Sequence, residues 1–332
     1  MIKILPFTPE HYPAIVDIHA SQGIIWPEYP RTPETWAESD RYINPGSISQ
    51  RWVACLDGTI ATDGRVVGFG EYRQNKHSHH PHWIFINIEV HPAHQRQGVG
   101  SALYEQLLSD VISLNPHALR ANAFANLPQG FHFLEKRDFY EAFRETPVHL
   151  DINAFDPAPY RELESKLQEK GIRIKTLQEL ASDPLRDRKV YDLYWEIFDS
   201  LPREDTNFTR PPFEAWCMQE LHDPTLLQDA YYIAMLGNEY IGLRELYKEP
   251  GNNALLGGLL GVRPSYRHQH IGLAMQLRGI QYGRENGIPL LKTCTGIKNT
   301  AMQALFNKLG YVRDPEWQQC QKNLVSKKSH WQ

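Results

Sequence analysis

The sequence predicts an α/β protein made of two tandem copies of one domain, each with a mixed, mostly antiparallel sheet flanked by helices. Three observations lead to this prediction: apolar strand-like runs alternate with helical patterns, a glycine-rich turn joins one such strand to a helix, and the pattern around that turn occurs twice. Strands joined partly by crossover helices indicate a sheet that is covered by helices. The length of 332 residues also exceeds that of an average single domain.

The elements of the first half are predicted from hydrophobic periodicity and from turn and cap residues. A strand over 2–6 precedes a helix over 8–21 that begins with Thr8 as its cap and Pro9 in its first turn. Further strands are predicted over 51–56, 65–72, 83–90 and 118–123 and from 139, with helices from about 99 and over 128–136. In the second half, a charged helix is predicted over 160–170. The strand predicted next, over 172–174, corresponds to the first strand of the first half.

The glycine-rich turn lies within 91–106, between the strand that ends at Val90 and the next helix. The first N–H groups of a helix have no partner within the helix, and together with the helix dipole they favour phosphate oxygens. Gly98 and Gly100 allow the backbone to approach such an anion closely, because glycine carries no Cβ atom. Gln95 and Arg96 add polar groups at the rim of the turn.

The turn does not match the two best-known nucleotide-binding motifs. A P-loop requires Lys followed by Ser or Thr after its last glycine, and a dinucleotide fingerprint requires G-x-G-x-x-G. The spacing in this chain is Gln95-x-x-Gly98-x-Gly100. An ordinary connection between a strand and a helix remains the alternative to a phosphate site.

An internal repeat with an offset of 172 residues relates the two halves. It aligns VHPAHQRQGVGSAL with VRPSYRHQHIGLAM and FLEKRDF with LFNKLGY, in the same order, and thus pairs Val90 with Val262 and Gly100 with Gly272. Two matching blocks at one offset indicate a tandem duplication. We therefore predict one domain over 1–152 and a second over 153–332.

The composition indicates a cytoplasmic, reduced protein. The net charge of −4 argues against binding to nucleic acid or to a membrane surface. No apolar run approaches membrane-spanning length, and the N-terminal residues do not form a signal peptide. The four cysteines are scattered, without the spacing of a metal or redox site, so no metal is expected.

The segment Gln95-x-x-Gly98-x-Gly100, directly after Val90, resembles the acetyl-CoA-binding motif of the GNAT superfamily of N-acetyltransferases. The second half is similar to the C-terminal half of bacterial tandem GNAT proteins, from Gly261-Val262-x-Pro264 to Gly310-Tyr311. The resemblance implies two tandem GNAT-like domains, acetyl-CoA as the co-substrate, and transfer of the acetyl group to the amine of a small molecule. It implies no nucleic-acid or membrane partner, and a monomer or weak homodimer is expected.

The resemblance implies a set of acetyl-CoA-binding residues at the end of the strand, in the turn and at the start of the helix. These residues are Ile88, Val90, Gln95, Arg96, Gln97, Gly98, Val99, Gly100 and Ser101, together with Asn126 near the position of an asparagine that bonds the pantetheine arm. In the second copy His270 replaces the first glycine of the motif and His268 lies two residues before it. These histidines either donate to phosphate or mark a site that no longer binds the cofactor, and we expect one cofactor, in the first half.

The resemblance also implies a general base, an acid and a backbone N–H near Val90 that polarises the thioester oxygen. Glu89 is the carboxylate of the 83–90 strand and is the candidate base, with a purely structural carboxylate as the alternative. The family places a tyrosine as acid in the short helix near 133, where this chain has Phe133-Leu134. Water is then the expected proton donor to the thiolate.

Several alternatives remain open from the sequence. The protein either acetylates an amine in its first half, catalyses in its second half, or binds acyl-CoA without turnover; transfer of an aminoacyl group from tRNA is less compatible with the intact glycine turn and the lack of a basic surface. Aromatic and proline residues at Trp26, Pro27, Tyr29 and Pro30 are candidates for acceptor contacts. The histidine-rich segment 76–82 is interpreted as a solvated loop rather than a metal site.

Overall fold

The computed structural model describes residues 1–23, 32–41, 48–56, 65–74, 82–202, 210–249 and 251–324. The chain forms two units by spatial proximity: unit 1 contains Met1–Arg144 and the segment from Pro315, and unit 2 contains Glu145–Arg203 and Pro211–Asp314. The predicted α/β class, with a mixed sheet flanked by helices in each half, is confirmed. The predicted domain bounds 1–152 and 153–332 describe the duplicated sequence and stay a prediction.

Unit 1 contains strands and helices in the order expected from the sequence, with one additional helix after the first. Its elements are β1 (Ile2–Pro6), α1 (Tyr12–Ser21), α2 (Pro33–Arg41), β2 (Ser49–Leu56), β3 (Arg65–Arg73), β4 (Trp83–Val90), α3 (Val99–Ile112), β5 (Ala118–Phe124), α4 (Pro128–Glu135) and the first part of β6 (Tyr140–Asp151). The predicted helix over 8–21 begins with a 3₁₀ turn, Pro9–His11, before α1 starts.

The strands of unit 1 lie in the order β1-β2-β3-β4-β5-β13, where β13 (Trp317–Asn323) is the last strand in the described part of the chain. All neighbouring pairs are antiparallel except β4 and β5, which are parallel. The strand that borders β5 therefore comes from a segment almost two hundred residues later in the sequence. Cys320 of β13 is 5% exposed and packs in the same apolar cluster as Leu119 and Ala121 of β5.

Helices cover both faces of the unit 1 sheet. On one face, Ile15, Ile18 and Trp36 of α1 and α2 pack on Val53 and Phe69. On the other face, α3 contributes buried residues to two clusters with the strands; these include Val99, Leu103, Leu107, Ala54, Val67, Ile84 and Ile86. Since β4 alternates its side chains, Glu89 belongs to the α1 face and the isoleucines belong to the α3 face.

Unit 2 repeats this order of elements. They are the remainder of β6, α5 (Leu163–Glu169), β7 (Ile172–Thr176), α6 (Arg186–Asp199), α7 (Phe213–Trp216), β8 (Tyr232–Leu236), β9 (Glu239–Lys248), β10 (Ala254–Val262), α8 (Ile271–Glu285), β11 (Leu290–Gly296), α9 (Thr300–Leu309) and β12 (Val312–Arg313). Its strands lie in the order β6-β11-β10-β9-β8-β7, and β10 and β11 are parallel as β4 and β5 are. Among the described residues, no helix is long and apolar enough to span a bilayer.

Helix α6 of unit 2 packs directly on β10 at Gly261. A Cβ atom at Gly261 would lie 2.1 Å from Ile197 Cγ2, which is closer than van der Waals contact allows. Ile197 is fully buried. The absence of a side chain at residue 261 therefore permits this close approach of helix and strand.

We predict that Cys320→Asp strongly destabilises unit 1, because it places a carboxylate in the apolar cluster with Leu119 and Ala121. The matched control is Asn323→Asp, which introduces the same charge at an exposed position of the same strand. Burial of an unpaired carboxylate costs several kcal/mol, so a lower thermal unfolding midpoint is expected for Cys320→Asp alone in calorimetry. Equal midpoints for both variants would contradict the placement of β13 in the core of unit 1.

We further predict that Gly261→Ala destabilises unit 2 by about 1–3 kcal/mol, because the new methyl group overpacks the contact with Ile197. Gly272→Ala is the control, since a Cβ atom there would have its nearest neighbour, Val262 Cγ2, at 3.9 Å. Urea unfolding of both variants measures the difference. A Gly261→Ala protein as stable as Gly272→Ala would show that α6 does not pack against this strand.

Candidate functional site

A cleft opens in unit 1 where β4 and β5 separate. The two strands pair in parallel only from Trp83↔Ala118 to Phe85↔Arg120. Beyond this point, 86–90 and 121–124 line opposite sides of a cleft with a volume of about 390 Å³. Each strand keeps its other neighbour, since β4 pairs with β3 up to Val90 and β5 pairs with β13 over its whole length. The separation is therefore local to the two inner edges.

The open edge of β4 presents backbone groups to the cleft. The N–H of His91 donates to Val67 of β3 (2.9 Å), and successive residues of a strand direct their backbone groups to opposite edges. The N–H and C=O of Val90 thus face the side of β5. The C=O of Val90 accepts from the side-chain amides of Gln22 (3.0 Å) and Gln95 (3.1 Å), and these bonds hold the end of the strand and the start of the turn in place.

The turn after β4 leads into the N-terminus of α3 at the cleft. Arg96 and Gly98 adopt positive φ angles of 62° and 87°, and Gly98 precedes the first residue of the helix. The first backbone bond of the helix runs from Ala102 N–H to Gly98 C=O (3.0 Å), so the preceding N–H groups point out of the helix end. A Cβ atom at Gly100 would lie 3.3 Å from the Phe133 ring and so would narrow the cleft at this end.

Arg137 adds a cation beside this helix end. Its guanidinium donates to Ser101 Oγ (2.8 Å) and to the C=O of Phe133 (3.0 Å), and it stacks on the Phe133 ring at 3.7 Å. Its Nε atom is buried without a hydrogen-bond partner. The N-terminus of a helix carries partial positive charge and disfavours a cation unless an anion is bound there. Arg96 and Lys136 also line this part of the cleft, which therefore suits phosphate groups.

The structure brings together most of the predicted site residues. Those that line the cleft are Ile88, Glu89, Val90, Gln95, Arg96, Gly98, Gly100 and Ser101. Three predicted residues lie outside its lining. The side chain of Val99 is buried in the core, Gln97 bonds the C=O of Ala93, and Asn126 bonds the C=O of Gly23 (2.8 Å).

Glu89 is held by two side chains on the α1 face. Its carboxylate accepts from His19 Nδ1–H, at 2.9 and 3.1 Å to its two oxygens, and from Asn87 Nδ2 at 3.0 Å. The side chains of His19 and Glu89 are 16% and 8% exposed. The carboxylate is thus largely buried but paired, as buried charges are in proteins.

A second buried cluster of polar side chains lies on the same face of the sheet, with Arg51 on β2, Glu71 on β3 and Asp40 on α2. Arg51 bonds Asp40 (2.8 Å) and Glu71 (2.7 Å), and Tyr12 donates to Asp40 (2.8 Å). Burial lowers the pKa of Arg51, but the two carboxylates outweigh burial and raise that pKa above its ordinary value. Burial and the bond to Asp40 raise the pKa of Tyr12 to about 12. Near neutral pH the guanidinium of Arg51 is therefore charged and the phenol of Tyr12 is neutral.

The second copy retains the backbone of the site. His268 and His270 have positive φ angles of 62° and 64°, as Arg96 and Gly98 do, and both are exposed. Arg267 donates to the C=O of Val262 (3.1 Å), in the same way that Gln95 donates to Val90. The backbone of the turn therefore has the same conformation in both copies, although His270 replaces the first glycine.

Polar side chains of unit 2 bond the backbone of β10 just after its last parallel pair with β11: Thr293 from β11, and Arg244 and Glu245 from β9. Thr293 donates to the C=O of Gly257 (3.0 Å), Arg244 donates to the C=O of Gly258 (3.2 Å), and the N–H of Leu259 donates to Glu245 (2.7 Å). Arg244 is 1% exposed. Burial and the nearby carboxylate of Glu220 raise the pKa of Glu245 to about 8. In unit 2, polar side chains of the protein thus bond the backbone of β10 near the point where it separates from β11.

Some residues of the site were not predicted from the sequence. His19 and Gln22 come from α1, about seventy residues before β4, and their pairing with Glu89 and Val90 has no local signal. Arg137 lies in the FLEKRDF block of the repeat. The second copy has Leu309 at the corresponding position. The proposed acceptor residues Trp26, Pro27, Tyr29 and Pro30, and most of the histidine-rich segment, lie outside the described residues.

The amino-acid sequence matches the family model of the acetyltransferase (GNAT) family twice, over residues 14–139 and 188–311. The two matches together cover more than half of the chain and correspond to the two copies. A comparison with curated proteins gives no significant match in sequence.

Two solved structures resemble this chain over nearly its whole length. A GCN5-related N-acetyltransferase from Sphaerobacter thermophilus has a TM-score of 0.71 at 17% identity, with 97% of this chain and 95% of that chain covered. A tandem GNAT protein from the clavulanic acid biosynthesis pathway has a TM-score of 0.73 at 17% identity, with coverage of 99% and 100%.

The two family matches fall on the two copies of the repeat, and the splayed parallel strands next to a helix N-terminus occur in unit 1 where the motif is intact. The chain belongs to the acetyltransferase (GNAT) family and is a tandem-domain member of it.

Proposed function

We propose that unit 1 catalyses transfer of an acetyl group from acetyl-CoA to the amine of a small molecule, and that unit 2 does not bind acetyl-CoA. The observation that carries the proposal is the contrast between the two copies. In unit 1 the parallel strands open into a cleft at the N-terminus of α3. In unit 2 the side chain of Thr293 in β11 donates to the C=O of Gly257, directly after the last parallel pair of β10 and β11.

The residues of unit 1 fit the chemical groups of acetyl-CoA. The free N–H groups of α3, with Arg137 and Arg96 beside them, suit the pyrophosphate. The open edge of β4 offers backbone groups at Ile88 and Val90 to the amides of the pantetheine arm. Gly98, Gly100 and Ser101 belong to the same helix end, and Val99 takes part through its backbone N–H. Asn126 and Gln97 are retained as proposed contacts at the rim.

The chemistry follows from the groups that meet at the end of β4. Acetyl-CoA, when bound, supplies the acetyl group as a thioester. The N–H of Val90 faces the cleft and is available to polarise the thioester oxygen. Glu89 contributes a carboxylate to base catalysis on the α1 face of the strand. The amine approaches from this face. Phe133 and Leu134 stand where family members carry a tyrosine, so solvent in the open cleft delivers the proton to the thiolate.

The amine acceptor belongs to the small molecules in this proposal, without nucleic acid or membrane. A small acceptor agrees with the cleft of about 390 Å³, which also has to hold the end of the pantetheine arm. We propose a cytoplasmic monomer or weak homodimer that needs no metal ion. Panels of amino sugars, polyamines, arylalkylamines and amino acids identify the acceptor class.

We predict that calorimetric titration of acetyl-CoA gives one site per chain and that Gly100→Glu abolishes binding. The new carboxylate would repel the pyrophosphate and fill the space next to Phe133. The matched control is Gly272→Glu, the same change at the corresponding position of the second copy, which leaves binding intact. Loss of binding in Gly272→Glu with retention in Gly100→Glu would move the cofactor site to unit 2.

We also predict that Arg137→Leu weakens acetyl-CoA binding about 10-fold or more, because a charge-assisted hydrogen bond contributes roughly 1.5–3 kcal/mol. Leucine is the residue that the second copy carries at this position, Leu309. Titration with S-acetylpantetheine, which lacks all phosphates, is the control and should give the same affinity for both proteins. Equal loss for both ligands would show that Arg137 supports the fold of the cleft rather than phosphate binding.

A further inference from the structure

We propose that His19 is the general base of the reaction and that Glu89 orients its imidazole ring. The inference rests on the proposed function, since it assigns a proton acceptor to the same site. It replaces a carboxylate that acts alone by a pair of residues from α1 and β4.

The hydrogen bonds of Glu89 argue against a direct role in proton transfer. One oxygen accepts from His19 Nδ1–H (3.1 Å) and from Asn87 Nδ2 (3.0 Å), and the other accepts from His19 at 2.9 Å. These hydrogen bonds occupy most of the acceptor positions of the carboxylate, which is 8% exposed. Few positions remain for a proton from a ligand. The same bonds fix its orientation toward the imidazole.

The bond to Glu89 determines which nitrogen of His19 is available. Because Nδ1 donates its proton to the carboxylate, Nε2 carries the lone pair and is the proton acceptor. The ring is held further by an edge-to-face contact with Trp36, with 5.7 Å between centroids. A carboxylate that orients an imidazole and stabilises its protonated form is a recurrent device in enzymes.

His19 does not line the cleft itself, but residues in contact with it or close to it do. Gln22 follows His19 by three residues, so the two lie on the same side of the helix. Gln22 lines the cleft and donates to the C=O of Val90 (3.0 Å), the residue whose N–H faces the cleft. Glu89, the partner of His19, is the neighbour of Val90 and lines the cleft as well. The second copy has Gly261 at the position of Glu89, with Ile197 of α6 packed on it, and thus contains no such pair.

The reaction begins with proton transfer from the acceptor to His19. Nε2 of His19 takes one proton from the ammonium form of the acceptor, and the freed lone pair forms the C–N bond with the carbonyl carbon. The C–S bond breaks with its electron pair on sulfur, and the sulfur gains the second nitrogen proton through solvent. The imidazolium then returns its proton to solvent. The products are the amide, the thiol and one proton.

The test compares His19→Asn with the wild-type protein in acetyl transfer to glucosamine, spermidine, phenethylamine and lysine. Asparagine keeps an N–H donor toward Glu89 but has no proton-accepting nitrogen. We expect kcat with the best amine to fall by about 100-fold or more, with unchanged affinity for acetyl-CoA. In His19→Ala, added imidazole should restore part of kcat, which a purely structural role would not allow.

A second measurement is independent of turnover. In ¹⁵N-labelled protein, the signals missing from His19→Asn identify the ring of His19, and they should show protonated Nδ1 and unprotonated Nε2. The opposite tautomer, or a kcat for His19→Asn within about threefold of the wild type, overturns the inference while the proposed function stands. If the wild-type protein neither binds acetyl-CoA nor acetylates any of the four amines, the proposed function fails and the inference falls with it.

Discussion

The parallel pairing of β4 and β5 ends after three residue pairs, and the site of unit 1 depends on this interruption. Each strand is held along its outer edge, β4 by β3 and β5 by β13, so the separation does not cost the sheet its integrity. Backbone groups on an inner edge would otherwise be satisfied by a neighbouring strand. In unit 1 they instead face a cleft, where we propose that a ligand with amide and phosphate groups bonds them.

The interruption also occurs in unit 2, where β10 and β11 pair over the same number of residues. There Thr293 of β11 donates to the C=O of Gly257 directly after the last pair, and Arg244 and Glu245 of β9 bond Gly258 and Leu259 at a bulge of β10. The corresponding stretch of β4 in unit 1 lines the cleft instead. The two copies therefore differ in what meets this part of the strand: buried polar side chains in unit 2 and an open cleft in unit 1.

The α1 face and the α3 face of the unit 1 sheet have separate chemical roles in this arrangement. The α3 face carries positive charge, through the helix N-terminus and Arg137, and suits the phosphates. The α1 face carries the paired Glu89 and His19 and also the cluster of Arg51 with Asp40 and Glu71. In the proposed function, a single strand, β4, contacts the cofactor through its backbone and contributes Glu89 to acid–base chemistry through its side chains.

The sequence by itself determined the fold class, the duplication and the family. These are local or periodic properties: strand and helix periods, the Gln95-x-x-Gly98-x-Gly100 turn, and a constant offset of 172 residues. The bounds of β1 and β4 were predicted to the residue, because proline and the turn residues terminate them. The glycine turn and the strand before it also predicted eight of the residues that line the cleft, since these eight lie close together in the chain.

Only the tertiary structure decided which distant residues meet. It paired the last strand in the described part of the chain with β5, where sequence distance gives no indication of spatial order. It brought His19 and Gln22 of α1 to Glu89 and Val90, and Arg137 to the N-terminus of α3. It also showed that Ile197 and Arg244 occupy the second copy next to glycines of β10. Such contacts depend on how whole elements pack against each other, and a periodic pattern contains no information about the partner on the other side of a contact.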